Sequence, residues 1–381
     1  MRQRIKRLAL LALTALMVVP LFAATAEAKP KKPKSVQVKV MTRNIFLGAD
    51  LTPALEASGF GEFIAANGEI LREVDETNFP LRAQGLAQEL KQKKPDLVGL
   101  QEVALWRDGP FNAEAALNQA PVATNVVYDF LDLLLAQTEA RGLDYRAAVI
   151  KEEFDFEAPA DYDGDPSTGT LGGEKNGRLT MRDVILVNED SKVKAKLKNP
   201  QTGTFASLYT PNISGLDVPV TRGWTAGDVT VKKGKGKRQV KKKFRFVNTH
   251  FEAFDDETQV PSIRAQQAAE LLAGPAKAKK AIILGDFNSN VPGVQPGDEQ
   301  AYQTLLDGGY TERSTSNPLS CCVSNLFTSP PSEFDHQVDH IMTNQSRKKV
   351  KLVNSSVTGL EQVNGIYNSD HAGVFSTLKL R

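Results

Sequence analysis

Cysteine, histidine and tryptophan are scarce in this chain: its 381 residues include 2 Cys, 4 His and 2 Trp. The cysteines are the neighbours Cys321 and Cys322, so no disulfide framework can tie distant segments together. They form either a strained vicinal disulfide or two free thiols. A structural zinc site needs four ligands, which this pair cannot supply. One-sided charge is also missing: 47 Lys and Arg face 45 Asp and Glu, a net +2. No global field therefore commits the protein to an anionic partner, and only local patches can. After the first two dozen residues, no stretch approaches the ~18 apolar residues of a membrane span. With 41% hydrophobic and 24% charged residues, the composition is that of a globular chain with a large core.

Arg2, Arg4, Lys6 and Arg7 precede an apolar run from Leu8 to Ala24, and Ala26-Glu27-Ala28 follows. A basic segment, an apolar segment and a small-x-small site are the parts of a cleaved export signal. The expected organisation is a signal peptide over 1–28, a basic Lys/Pro leader over 29–34 and a single domain over 35–381. The mature protein is expected to be secreted, soluble and monomeric.

The informative stretch is Ala281 to Asn290, AIILGDFNSN. Four apolar residues predict a strand buried on both faces, and Asp286 and Asn288 at spacing two point the same way at its end. The pattern recurs. Val36, Val38 and Val40 alternate with Gln37 and Lys39 in a strand that ends in Arg43-Asn44, where Asn44 is also a plausible turn former. DLVGLQEV predicts a strand over Asp96 to Val103, with Glu102 at its end. A Glu after an apolar run costs desolvation unless a metal or a buried Lys or Arg compensates it. RLTMRDVILVN carries Arg182-Asp183 within a strand, and FRFVNTHF ends near His250. Two later motifs, His336 to Met342 with Asp339 and Ser369 to Phe375 with Asp370 and His371, place acid–His pairs beside apolar strands.

Between these motifs the sequence predicts helices over much of 52–90, over Val126 to Ala140, over Val260 to Leu272 and over Gln300 to Leu306. Glu152 to Gly177 reads as an acidic surface loop. Its Asp161, Asp163 and Asp165 alternate like a calcium loop, but Pro166 and Gly172 stand where that loop needs Gly and Glu, so calcium is rejected. Lys232 to Lys243, with Gly234 and Gly236 at the tip, reads as a basic hairpin. Its lysines either protect a sheet edge or contact an anionic surface, phosphate backbone or lipid.

The ordered set RN, QEV, NTHF, GDFN, VDHI and SDH resembles the endonuclease/exonuclease/phosphatase superfamily, which includes pancreatic deoxyribonuclease and bacterial sphingomyelinases. The resemblance spans Met41 to Leu378. It implies an α/β four-layer sandwich of two packed mixed β-sheets flanked by helices. It further implies that Asn44 and Glu102, supported by Asp370, hold a divalent metal, Mg2+ or Mn2+. Asp286 would position or deprotonate the attacking water, and Asn288 would bond the phosphate. His250 and His371 would donate to phosphoryl oxygens, Asp339 would orient His371, and Asp183 is the candidate acid partner of His250. The donor set agrees with that chemistry independently: it is rich in oxygen and lacks thiols, which suits a hard cation.

The expected activity is a secreted metal-dependent phosphodiesterase. The basic hairpin tips the substrate toward nucleic acid. A sphingomyelinase-like phospholipid diesterase, an inositol-phosphate phosphatase and a silent binding module are the alternatives.

Overall fold

The computed structural model describes residues 35–114, 120–213, 215–236, 239–254, 259–294, 297–314 and 319–381. The expected signal peptide and leader lie outside the described residues. In chain order the strands begin with β1 (Val36–Asn44), β2 (Leu97–Gln101), β3 (Leu105–Pro110), β4 (Asn125–Asp129), β5 (Tyr145–Ala160), β6 (Lys175–Asn188) and β7 (Lys196–Thr204). A short pair follows, β8 (Asn212–Ile213) and β9 (Leu216–Asp217), and then β10 (Gly223–Lys233), β11 (Val240–His250) and β12 (Ala281–Asp286). The last are β13 (Thr311–Glu312), β14 (Asp339–Thr343), β15 (Val350–Thr358) and β16 (Gly373–Leu380). The α-helices are α1 (Thr52–Leu55), α2 (Phe60–Glu76), α3 (Phe79–Lys93), α4 (Phe130–Ala140), α5 (Ile263–Ala273) and α6 (Gln300–Asp307).

Strands covered on both faces explain the unbroken apolar runs. In the first sheet β15, β16, β1, β2 and β6 are successive neighbours, β5 pairs with the far side of β6, and β3 and β4 extend it. The second sheet runs β13-β14-β12-β11-β10-β7. Both mix parallel pairs (β1 with β2, β11 with β12) and antiparallel ones. Alternate residues then sort into layers. Val36, Val38, Leu97 and Ile185 of one sheet meet Phe246, Ile282, Leu284 and Ile341 of the other. The intervening Met41, Val98 and Leu186 face α2, α3 and α4, whereas Val247, Ile283 and Met342 face α5 and α6. The result is helix, sheet, sheet, helix, the expected four-layer sandwich.

Two local expectations are corrected. Val126 to Ala140 is not one helix, because Asn125–Asp129 is a strand paired with β3. The helix starts only at Phe130, where Asp129 caps it by accepting from the Leu131 and Asp132 amides. Likewise Glu152 to Gly177 is not all loop. β5 continues to Ala160, with Phe154 and Phe156 alternating with Asp155 and Glu157, and β6 resumes at Lys175.

The basic hairpin forms, with Lys233 opposite Val240 and Gly223 opposite His250. Its described lysines therefore lie toward the other end of the strands from His250, about 30 Å away near the tip at ~3.3 Å per residue.

Candidate active site

Parallel β1, β2, β11 and β12 finish at one end of the sandwich, and antiparallel β10, β14 and β16 begin there. That topology gathers side chains distant in sequence. In the second sheet His250 pairs with Asp286 and Asp286 with Asp339. A polar seam beneath the site joins the sheets: Gln101 Nε2 donates to Asn248 Oδ1 at 2.5 Å, and Asn248 Nδ2 to the Leu100 carbonyl at 3.1 Å. Gly285 permits the tight approach of β12 to β11 just before Asp286, since a Cβ there would stand 1.9 Å from the Thr249 carbonyl oxygen. At the rim Phe46, Glu102 and Asn288 hold left-handed φ of 57°, 57° and 46°. Such backbone costs on the order of 1–3 kcal/mol per residue and clusters at functional sites.

Asp286 is the hub. Its Oδ2 accepts from Asn44 Nδ2 at 3.0 Å and lies 3.5 Å from His250 Nε2 and 3.7 Å from His371 Nε2. Its Oδ1 accepts from the Asn288 amide at 2.9 Å. His371 Nδ1 sits 2.9 Å from Asp339 Oδ2. The two histidines are driven apart electrostatically. Burial works against a charged His371, yet Asp339, Asp286 and Asp370 together hold its pKa well above the ordinary value. Burial pushes His250 well below it, aided by Arg222 and His371. The surroundings thus favour charge on His371 and disfavour it on His250.

The expected acid partner of His250 is corrected. Arg222, the residue before β10, places Nη1 3.1 Å from His250 Nδ1. A guanidinium can only donate, so Nδ1 accepts and the proton of the neutral ring resides on Nε2, facing Asp286. Asp183 is fully buried, neither carboxylate oxygen is hydrogen-bonded among the described residues, and burial, then Glu153, raises its pKa well above the usual range. It lies near Arg222 electrostatically rather than bonded to the imidazole. Arg222 also lies 3.6 Å from Glu252. It was missed because its place depends on the register Gly223 to His250, which no local pattern encodes.

Two of the residues expected to hold the metal, Asn44 and Glu102, are in direct contact. Asn44 Nδ2 donates to Glu102 Oε1 at 2.8 Å as well as to Asp286, and Asn44 Oδ1 accepts from the Phe46 amide at 2.9 Å. Asn44 thus bridges the two carboxylates, and its oxygen keeps a second acceptor site beside the Phe46 bond. Glu102 and Asp370 both line the cavity, and burial, then the Asp370 charge, raises the Glu102 pKa. Two carboxylates that repel one another in a buried setting suit a hard divalent cation. Asp286, Asp339 and His371 also bring ligand atoms within 4.8 Å of one another. Asn288 lines the same cavity, with Nδ2 donating to the Phe251 carbonyl at 2.9 Å.

The cavity measures about 740 Å³. Asp50, Glu73, Glu76, Glu102, Asp286 and Asp370 contribute acid, and among the described residues Arg222 is the single Lys or Arg in its lining. Phe46, Leu51, Leu55, Phe154, Phe254 and Phe327 give it an apolar wall. An apolar groove sharing Leu51, Leu55 and Phe154 continues toward Phe63 and Trp106. Cys322 Sγ, beside Cys321, stands at the cavity 3.8 Å from His371 Nε2. His340 is structural: it bonds Glu312 at 2.8 Å and the Ser289 carbonyl at 2.9 Å, away from the cavity.

A four-layer sandwich with this convergence of polar strand ends defines the deoxyribonuclease I-like class of α/β proteins. Residues 66–371 match the model of the Endonuclease/Exonuclease/phosphatase family, and the chain belongs to that family. An endonuclease/exonuclease/phosphatase family protein from Bacteroides thetaiotaomicron superposes with a TM-score of 0.53 at 14% identity, over 92% of this chain and 100% of the other. A mannosyl-6-phosphatase from Bacteroides thetaiotaomicron VPI-5482 gives 0.50 at 17% identity, over 90% and 99%. At these identities the likeness is one of fold. No curated protein matches the sequence significantly.

Proposed function

We propose that the protein is a divalent-metal-dependent phosphoric ester hydrolase that cleaves phosphodiester bonds with an activated water. The observation that carries this is Asp286 Oδ2, held within 3.0–3.7 Å of Asn44, His250 and His371. Asn44 and Glu102, supported by Asp370, would hold the cation, Mg2+ or Mn2+. When bound, it supplies neutralisation of charge on a phosphoryl oxygen. Asp286, whose pKa burial raises, takes a proton from the attacking water as the water oxygen bonds to phosphorus. Charged His371 and the Nε2–H of neutral His250 donate to oxygens whose charge grows as the P–O bond to the leaving group breaks. Asp339 orients His371 and Arg222 orients His250. Asn288 positions Asp286 and presents its remaining amide proton to the phosphate. Export through segment 1–28 is part of this reading, and sequencing the amino terminus of the protein recovered from the medium tests it.

The support for a nucleic-acid substrate weakens, because the basic hairpin stands at the far end of β10 and β11. A cavity lined by six carboxylates and an apolar wall favours a small phosphodiester carrying an apolar group over a polyanionic backbone. A phospholipid diesterase activity is the reading this lining supports. The test is hydrolysis of a bis-aryl phosphodiester, DNA and sphingomyelin micelles by residues 29–381, with Mg2+ and with chelator. Chelator-sensitive cleavage of the amphiphilic esters with little action on DNA is the expected outcome. Preferred cleavage of DNA overturns the substrate reading, and no turnover with any divalent cation overturns the enzymatic one.

A further inference from the structure

The opposite end of the second sheet carries a second concave feature. A cleft of about 230 Å³ is lined by Lys242, Lys243, Lys280, Lys349 and Arg381 over a floor that includes Phe244 and Val350. The sheet's register assembles it: Arg245 pairs with Ala281 and Ile282 with Thr343, while Val350 pairs with Leu380 in the neighbouring sheet. Backbone bonds tie the segments, with the Arg245 amide on the Lys280 carbonyl at 2.8 Å and the Arg381 amide on the Lys349 carbonyl at 2.9 Å. Residues 239–250, 271–285, 341–360 and 371–381 contain no Asp or Glu. Among the described residues none of the five cations is paired with a carboxylate. In a chain of net charge +2 this is a local concentration of positive side chains.

We propose that this cleft is an anion site, separate from the catalytic cavity, that seats a linear phosphate polymer. Five converging cations match successive phosphates through charge alone. The recess favours a chain lying within it over a flat layer of headgroups. Its one aromatic, Phe244, is only 7% exposed and offers no face on which a base could stack, which disfavours nucleic acid. Along β12 the cleft lies about 17 Å from Asp286 at ~3.3 Å per residue, so polymer bound there leaves the catalytic mouth open.

The experiment titrates the full chain with inorganic polyphosphate at several salt concentrations, beside the variant Lys242→Ala/Lys280→Ala/Lys349→Ala/Arg381→Ala. All four side chains are at least partly exposed, and an unchanged melting temperature verifies that the variant is folded. For the parent, log K is expected to fall with log salt at a slope of about 3.5, from five contacts at ~0.7 each. In the variant the slope falls to about 0.7 and affinity drops by at least about tenfold, while bis-aryl phosphodiester turnover is unchanged. Lys280→Glu alone gives an intermediate loss if the quadruple variant does not fold. Equal binding by parent and Lys280→Glu overturns the site. Binding only to anionic phospholipid vesicles, or to single-stranded DNA as tightly as to polyphosphate, overturns the ligand.

Discussion

At the last residue of β12, Asp286 lies 1% exposed among two imidazoles and an amide. Just before the first residue of the same strand, Lys280 is exposed with a row of cations around it and no carboxylate partner among the described residues. Both ends gather charge, but only one removes it from water. Desolvation multiplies what each group does to its neighbours, so His250 and His371 are pushed in opposite directions although both start as ordinary imidazoles. The solvated end leaves its cations in water and acts by number. Buried polar convergence therefore marks where chemistry is proposed to occur, and a count of lysines marks at most where something docks.

The sharpest way to break the comparison is to neutralise the hub. Asp286→Ala is expected to lower phosphodiester turnover by at least about a thousandfold, comparable to losing a main transition-state contact. Its melting temperature should hold or rise, because one member of a crowded, buried acidic cluster is gone. Kinetics with calorimetry decide it. Turnover within tenfold of the parent would remove Asp286 from the proposed role.

Arg222→Met tests how the buried end tolerates its charges. Glu252 lies 3.6 Å from that guanidinium, and Glu153 and Asp183 feel its charge. Losing the cation should destabilise the fold by about 3–5 kcal/mol, as when one partner of a buried ion pair is removed. Burial, opposed by Lys151 and Arg222, raises the Glu153 pKa to about 7. Between the ordinary carboxylate range and about pH 7 the folded chain keeps a proton that the unfolded chain has released. Stability therefore falls as pH rises through that window. Arg222→Met should steepen the fall, and denaturant melts from pH 5 to 8 measure it. A flat difference between parent and variant would mean the acids are compensated by something else.

Much of this site was legible before any coordinates. Asn44, Glu102, His250, Asp286, Asp370 and His371 each follow or precede an apolar strand, and a polar residue in such a place needs a partner. What stayed hidden depends on lateral pairing. Arg222 reaches His250 only because β10 lies against β11 in one register. The exchange of Asp183 for Arg222 beside His250 has the same origin. Asn44 reads on its own as a strand-end residue or turn former, and its contacts with Glu102, Asp286 and the Phe46 amide show only in the folded chain. The strand over Tyr145–Ala160 was obscured by composition: its alternating Phe154 and Phe156 sit within an acidic stretch that reads as loop.

Asp339→Asn sharpens the contrast between the histidines. Burial alone would make charged His371 unfavourable, and Asp339 is the largest influence raising its pKa. The neutral amide retains the shape and removes the charge. If a charged His371 is needed, the alkaline limb of the pH–rate profile moves to lower pH and turnover at pH 8 drops by about 10- to 100-fold. The stability sign follows from the same shift. His371, with its folded pKa raised, stabilises the parent below its unfolded pKa and loses that contribution as pH rises through the folded value. An unmoved alkaline limb would assign it to another group.

The smallest effect is expected at the solvated end. Lys233→Glu/Lys235→Glu reverses two exposed charges near the hairpin tip, about 30 Å from His250 and outside both the catalytic cavity and the cationic cleft. At 0.15 M salt the Debye length is about 8 Å, so these charges cannot reach Asp286. Turnover of a small phosphodiester should stay within about twofold of the parent and stability within about 0.5 kcal/mol. The same holds for any cleavage of DNA, since a strand threaded through the acidic cavity would not reach the hairpin along a direct path. If the variant loses DNA cleavage while keeping small-substrate turnover, the hairpin guides a long polymer over the side of the sandwich. The division between a buried chemical end and a solvated docking end would then fail, because one substrate would span both.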